Sequence, residues 1–317
     1  MSVLTPTVNQ MLVLFLFMAL GYLLRKKKLL PENAATVLAK LETNVLVPCL
    51  VFNTFNTHCT VGNFEDKWTY ILYGAAIMVL SLVIAIPLSH AFTKESYKRR
   101  IYNYSFAVAN FSFMGNAVVL GIFGTEVLFD YMMLTMPLNL YVYSYGVASL
   151  EPDGERGRFS LRTLINPICI AMLAGIVCGL TGVFELCNQL FEFPVLSFLS
   201  TAISSAGACM SPLAMILTGF VIGGYSFRML ASDKKIYFVS FLRLIVIPAA
   251  FVLALRLIGA DSAIICVALC ATAMPLGLNT VVIPAAHGGD TVPGASMALI
   301  SHLLSIVTIP VMFAILL

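Results

Sequence analysis

The sequence predicts an all-α polytopic membrane protein with ten transmembrane helices in two inverted five-helix repeats. Three observations predict it. Hydrophobic residues make up 60% of the chain and charged residues only 10%, whereas a soluble domain carries about a quarter charged residues. Apolar runs recur along the whole length, each near the roughly 20 residues a helix needs to cross about 30 Å of hydrocarbon. The two halves also carry the same punctuation. Pro48 pairs with Pro212, Pro87 with Pro248 and Gly115 with Gly277, at offsets of 164, 161 and 162 by subtraction. Matching breaks in duplicated apolar halves are the sequence mark of alternating access around a midplane site.

In chain order the spans fall at 7–24, 34–56, 68–92, 101–123, 128–149, 162–185, 196–224, 233–258, 262–286 and 291–315. The runs are continuous rather than alternating, which excludes a β-barrel. The first span is not a cleaved leader, because its basic cluster, Arg25-Lys26-Lys27-Lys28, follows the apolar run. Of the 18 Lys and Arg residues, only Lys67 and Arg256 lie on the other side, Arg243 lies inside a span, and the remaining 15 flank the odd-numbered loops. The positive-inside rule then places those loops in the cytoplasm and both termini outside, in a plasma or bacterial inner membrane. The net charge of +3 describes this topology and gives no reason to expect a nucleic-acid partner; the bilayer is the partner. The eight cysteines show no metal-ligand spacing and read as small buried apolar residues.

The longest polar stretch inside the chain, Glu-Pro-Asp-Gly-Glu-Arg-Gly-Arg at 151–158, divides the chain into a first repeat at 1–150, a cytoplasmic linker at 151–161 and a second repeat at 162–317. Five spans on each side force the second copy to enter the membrane from the opposite face.

The fourth and ninth spans carry polar and helix-breaking residues at their centres. Asn110, Ser112, Gly115 and Asn116 crowd the fourth, and Pro275, Gly277, Asn279 and Thr280 the ninth. Unpaired backbone at membrane depth survives only beside protein or a water-filled cavity, so both helices are expected to break near the midplane. A half-helix that begins there presents unpaired N–H groups and a partial positive charge, which together form an anion site. Asn116 and Asn279 stand where such a half-helix could start, as N-cap residues. The alternative is that Gly and Asn simply allow close helix crossing.

Several segments together resemble the auxin efflux carrier family, whose bacterial members include malate and malonate permeases. The segments are Gly-Tyr-Leu-Leu-Arg (21–25), Asn-Val-Leu-Val-Pro-Cys-Leu-Val-Phe (44–52), Asn-Phe-Ser-Phe-Met-Gly (110–115), Asn-Pro-Ile-Cys-Ile-Ala-Met-Leu-Ala-Gly (166–175) and Met-Pro-Leu-Gly-Leu-Asn-Thr (274–280) leading to His-Gly-Gly-Asp (287–290). The resemblance implies a fold like that of the bile-acid/sodium symporters. Helices 1, 2, 6 and 7 would form a scaffold that dimerises, and helices 3–5 and 8–10 a moving transport domain. It also implies that substrate carboxylates bind where the broken fourth and ninth helices cross, near Asn110, Gly115, Pro275, Gly277 and Asn279. Relatives often carry Pro two residues after the fourth-helix Gly, whereas this chain has Ala117; a gentler break and a ligand role for Asn116 follow as expectations.

Arg243 lies eight residues beyond Lys235, about 12 Å along a helix. It could draw an anion inward, pair with an acid, or snorkel to the headgroups. His302 could titrate near neutral pH as a coupling group. It follows Asn139 by 163 residues, so the two are expected to occupy equivalent places, with Tyr143 and Tyr145 near Asn139. Lys40 and Glu42 fall near the inner end of the second helix, and Glu126 and Asp130 near the outer side. None of these acids reads as central, and no cofactor or metal is indicated. Sodium or proton coupling is left open.

The expectation is a secondary transporter for a small organic anion, a carboxylate such as malate or malonate or an auxin-like acid. Transport in either direction fits these motifs. No paired intramembrane Asp, His-Glu-x-x-His or Gly-x-Ser-x-Gly supports an enzyme. A ligand sensor on a transporter fold, a carrier of a non-carboxylate solute, and less readily a channel, are the alternatives.

Overall fold

The computed structural model describes residues 3–152, 165–183, 186–187, 195–286 and 288–317; most of the expected linker lies outside them. The principal helices are α1 (Leu4–Lys26), α2 (Ala34–His58), α3 (Val61–Phe92), α4 (Ser96–Ala107), α5 (Phe111–Tyr141), α6 (Pro167–Thr181), α7 (Ser197–Gly223), α8 (Lys234–Leu257), α9 (Ser262–Thr272), α10 (Asn279–Ala286) and α11 (Val292–Leu316). The fold is all-α. Among the described residues seven helices, α1, α2, α3, α5, α7, α8 and α11, are long and apolar enough to cross a membrane, while α6 and α9 are shorter apolar helices.

Local chemistry sets several starts. The Asn166 side chain accepts from the N–H groups of Ile168 and Cys169, both at 3.0 Å, with Pro167 opening α6. Asp233 caps α8 through the Lys235 N–H at 2.9 Å.

The two spans expected to break, the fourth and the ninth, are divided. The fourth becomes α4, a non-helical stretch at 108–110, and the first limb of α5. The ninth becomes α9, a non-helical stretch at 273–278, and α10. The chain turns into the fifth span at Gly124, whose φ of 84° and ψ of −173° suit only glycine.

Backbone distortion also departs from the sequence pairing. Pro48 and Pro248 each follow a π turn, Glu42–Leu46 and Leu242–Val246. Proline lacks the N–H for the preceding turn and its ring crowds that turn's carbonyl, so the helix widens before it. Pro87 lies in regular helix, and Pro212 follows an irregularity at Cys209.

α1 packs against α7, and α2 against α6 and α7. Close approach explains the small residues there: a Cβ on Gly21 would overlap the Ile216 carbonyl, and one on Gly219 the Met18 carbonyl. α3 packs on α4 and α5, α8 on α9 and α11, and α9 on α5. About half of α5, α7, α8 and α11 is buried, whereas α1 to α3 turn side chains such as Leu12, Leu16, Leu72 and Val83 outward, as lipid-facing helices do.

Candidate functional site

The two interruptions meet. Ala109 and Leu276 form an antiparallel bridge, and the Asn110 N–H donates to the Pro275 carbonyl at 2.7 Å. Two unwound segments thus satisfy part of each other's backbone inside the protein, as membrane depth requires. The Asn110 carbonyl then accepts from Met114 and Gly115 at 3.2 and 2.9 Å and starts the π turn Phe111–Gly115.

α11 holds both segments through adjacent residues. Ser301 Oγ accepts from the Leu276 N–H at 3.0 Å. His302 Nδ1 lies 2.7 Å from the Ala298 carbonyl, which can only accept, so Nδ1 carries hydrogen. Nε2 is left to accept from the Asn110 amide, 3.3 Å away. His302 and Asn110 are both buried, and the ring positions the amide.

Arg243 is buried at 3% exposure and donates from Nη1 to the Thr272 carbonyl at 2.6 Å. Thr272 is the last residue of α9, so the guanidinium covers the negative end of a half-helix. It neither snorkels to the headgroups nor pairs with an acid. On the facing segment, Asn279 donates to the Tyr104 hydroxyl at 2.9 Å, and Thr280 Oγ1 donates to the Gly277 carbonyl at 2.9 Å.

A cavity of about 20 Å³ lies at the crossing, lined by Tyr104, Asn110, Phe111, Ser112, Phe113, Gly277, Leu278 and Asn279 among others. That is room for about one water molecule. The backbone N–H groups of Phe111, Ser112 and Phe113, and of Leu278 and Asn279, have no hydrogen-bond partner among the described residues, while the Gly277 N–H is the second arm of the antiparallel bridge. Five donors at two helix starts around one space form the electrostatic core of the candidate site. A larger cavity of about 380 Å³ shares Phe113, Leu278 and Asn279 with it and continues past Lys40, Thr43 and Asn44.

Of the residues nominated from the sequence, Asn110, Gly277 and Asn279 line the crossing cavity. Pro275 supplies the carbonyl bonded to Asn110, and Thr280 closes the turn behind it. Gly115 lies behind the site: a Cβ there would strike the Tyr131 hydroxyl, which itself donates to the Phe111 carbonyl at 2.7 Å. Asn116 is not an N-cap, because the half-helix already begins at Phe111; it sits one turn on, buried, its amide without a partner among the described residues. Ala117 lies within that helix, and the break upstream is complete without proline. Asn139 bonds back to the Thr135 carbonyl of its own helix at 3.3 Å and does not line the cavity. Tyr145 is exposed and stacks near Tyr141, and the Tyr143 side chain lies outside the described residues.

Ser301, Tyr104 and Tyr131 were not singled out by the sequence, since a serine or tyrosine in an apolar helix carries no distinctive spacing. Glu42 is another departure. Read as peripheral, it is fully buried, and neither carboxylate oxygen has a hydrogen-bond partner.

Lipid-spanning helices interrupted at facing points around a small cavity fit an integral membrane transport protein, and comparison with known proteins places the chain in that class. The family model described as "Membrane transport protein" matches residues 6–160 and 156–313. The chain belongs to this family, that of the auxin efflux carrier-like transporters. An "Uncharacterized transporter" of Methanothermobacter thermautotrophicus is 27% identical over 312 residues, covering 96% of each chain.

Proposed function

We propose that the protein is a secondary carrier of a small organic anion, a carboxylate of the malate, malonate or auxin-like kind. The anion binds where the interrupted fourth and ninth helices of a ten-helix, inverted-repeat fold cross. One observation carries this reading: five unpaired backbone donors, from two half-helix starts, surround the same small cavity. A carboxylate supplies the acceptor lone pairs these donors lack. Asn110 and Asn279 add side-chain donors, and Asn116, one turn into the same half-helix, gains a partner once a ligand arrives. Gly277 keeps the approach open, while Gly115, Pro275 and Thr280 shape the backbone. His302 orients Asn110, and Arg243 offsets the negative end of α9.

At about 20 Å³ the crossing is too small for a dicarboxylate, so substrate enters as the helices part. The 380 Å³ cavity beside Lys40 is the vestibule, on the basic, cytoplasmic side given by the charge asymmetry. α1, α2, α6 and α7 act as a dimerising scaffold in the plasma or inner membrane, with both termini outside. The other helices slide against it in an elevator movement.

The test is counterflow into proteoliposomes with labelled malate, malonate, a monocarboxylate and an indole acid, each with and without sodium, proton and voltage gradients. Saturable exchange of one acid is the expected result. No exchange of any of them by folded protein would refute the carboxylate reading and favour a sensor or another solute.

A further inference from the structure

Four ionisable side chains stand out as deeply buried: Glu42, Asp130, Arg243 and His302. Asp130 pairs with Lys67 at 2.8 Å, Arg243 with the Thr272 carbonyl, and His302 with Asn110 and Ala298. Glu42 alone among these four has no side-chain hydrogen-bond or ion-pair partner among the described residues, with a relative exposure of 0%.

Its place follows from Pro48. The π turn Glu42–Leu46 precedes that proline, and the Val47 N–H reaches back five residues to the Glu42 carbonyl. Such turns re-aim a side chain and recur at functional sites. Here Lys40, Thr43 and Asn44 line the 380 Å³ vestibule while Glu42, on the same stretch of helix, points into protein. The elements packed on this turn are α6 and α7 with the residues leading into it. Among their described residues no charge occurs; the titratable groups are Cys169 and Cys178 on α6 and Cys209 on α7, and on α2 itself the exposed Lys40, the thiol of Cys49 and His58 at the far end of the helix. An ionised carboxylate in that setting would have neither counter-charge nor donor, which a buried charge does not tolerate. The face of α2 just before the turn, Ala35, Leu38 and Ala39, packs against a small cluster containing Leu278 and Val282 of the ninth-helix break. Movement of the break along α2 is thereby movement next to Glu42.

We propose that Glu42 is a proton-binding site of the carrier, occupied in the packing seen here and emptied into vestibule water when the break moves along α2. This rests on the carrier reading above. In each cycle the O–H bond of the carboxyl breaks to release one proton to water on one side. It re-forms with a proton taken from water on the other side, and the transported anion moves with it. No other bond changes and no co-reactant is needed.

The experiment uses the full chain in proteoliposomes, with the acid that shows counterflow. Counterflow at equal pH on both sides tests the carrier reading alone. Accumulation under a pH gradient, acid outside, tests Glu42. For one proton per anion, one pH unit raises the accumulation ratio of wild type up to about tenfold. Glu42→Gln, isosteric and unable to ionise, is expected to keep counterflow and lose this response. A Glu42→Gln protein that exchanges and still accumulates with the wild-type response overturns the proposal. Absence of counterflow in wild type overturns the carrier reading instead. Should Glu42→Gln fail to fold, wild type in weak buffer with a pH indicator decides: substrate-induced proton uptake or release is expected, and none overturns the proposal.

Discussion

The two interruptions that meet at the crossing are built differently. The segment at 108–110 is three residues long, contains no proline, and is fixed by a side-chain bond from Asn110 to His302. The segment at 273–278 is twice as long, centres on Pro275, and is fixed through its backbone, with Ser301 on the Leu276 N–H and Arg243 on the Thr272 carbonyl just before it. One break is thus held open by covalent geometry and braces on its backbone. The other is held by pairing with the first and by one amide–imidazole contact. α11 supplies braces to both breaks, whereas Asn139, expected as the equivalent of His302, bonds within its own helix. On the proposed reading, loss of Asn110 is therefore expected to cost more transport than loss of any single residue of the ninth-helix break.

Three substitutions probe that contrast, in order of expected effect. Arg243→Met leaves the Thr272 carbonyl at the negative end of α9 without its charged donor. Loss of a buried bond to a charged group costs about 1.5–3 kcal/mol, and thermal unfolding in detergent should show it. Transport of anionic and neutral analogues should fall in equal proportion, because Arg243 braces the backbone; a selective loss for anions would instead make it a ligand. Gly115→Ala drives a Cβ into the Tyr131 hydroxyl, and overpacking of this kind costs about 1–3 kcal/mol. Pairing it with Tyr131→Phe should recover part of that in the same melting assay; no recovery would place the crowding elsewhere. Gly277→Ala is expected to be the mildest, since its Cβ would sit 3.6 Å from the Ala109 carbonyl oxygen, an ordinary contact. Stability should change by less than about 0.5 kcal/mol, while counterflow slows because the methyl group narrows the crossing. Unchanged counterflow would show that substrate passes elsewhere.

The same contrast explains what could be read from the sequence. The ninth-helix break was legible because Pro275 removes a donor and Gly277 follows it, a signature that propensity alone carries. The fourth-helix break was legible only as a polar patch, and its position was misplaced towards Gly115 and Asn116. Nothing intrinsic unwinds Val108 to Asn110; they leave the helix because Pro275 and Leu276 pair with them across 165 residues, by subtraction of 110 from 275. Tertiary pairing overrides local preference there. Arg243 was visible as a costly intramembrane charge, but its partner, a main-chain carbonyl, leaves no trace in side-chain identities. Glu42 looked peripheral from its distance to the helix end, and only the π turn before Pro48 shows which way it points.

The most direct test of the crossing as the substrate site is counterflow by Asn110→Ala and Asn279→Ala proteins in proteoliposomes, each matched to wild type for melting temperature and elution volume. Loss of a donor to a carboxylate, about 1.5–3 kcal/mol, corresponds to a tenfold to hundredfold fall in exchange at limiting substrate. The larger fall is expected for Asn110→Ala, which also loses the His302 contact. Wild-type exchange by both variants would contradict the assignment of the crossing as the binding site.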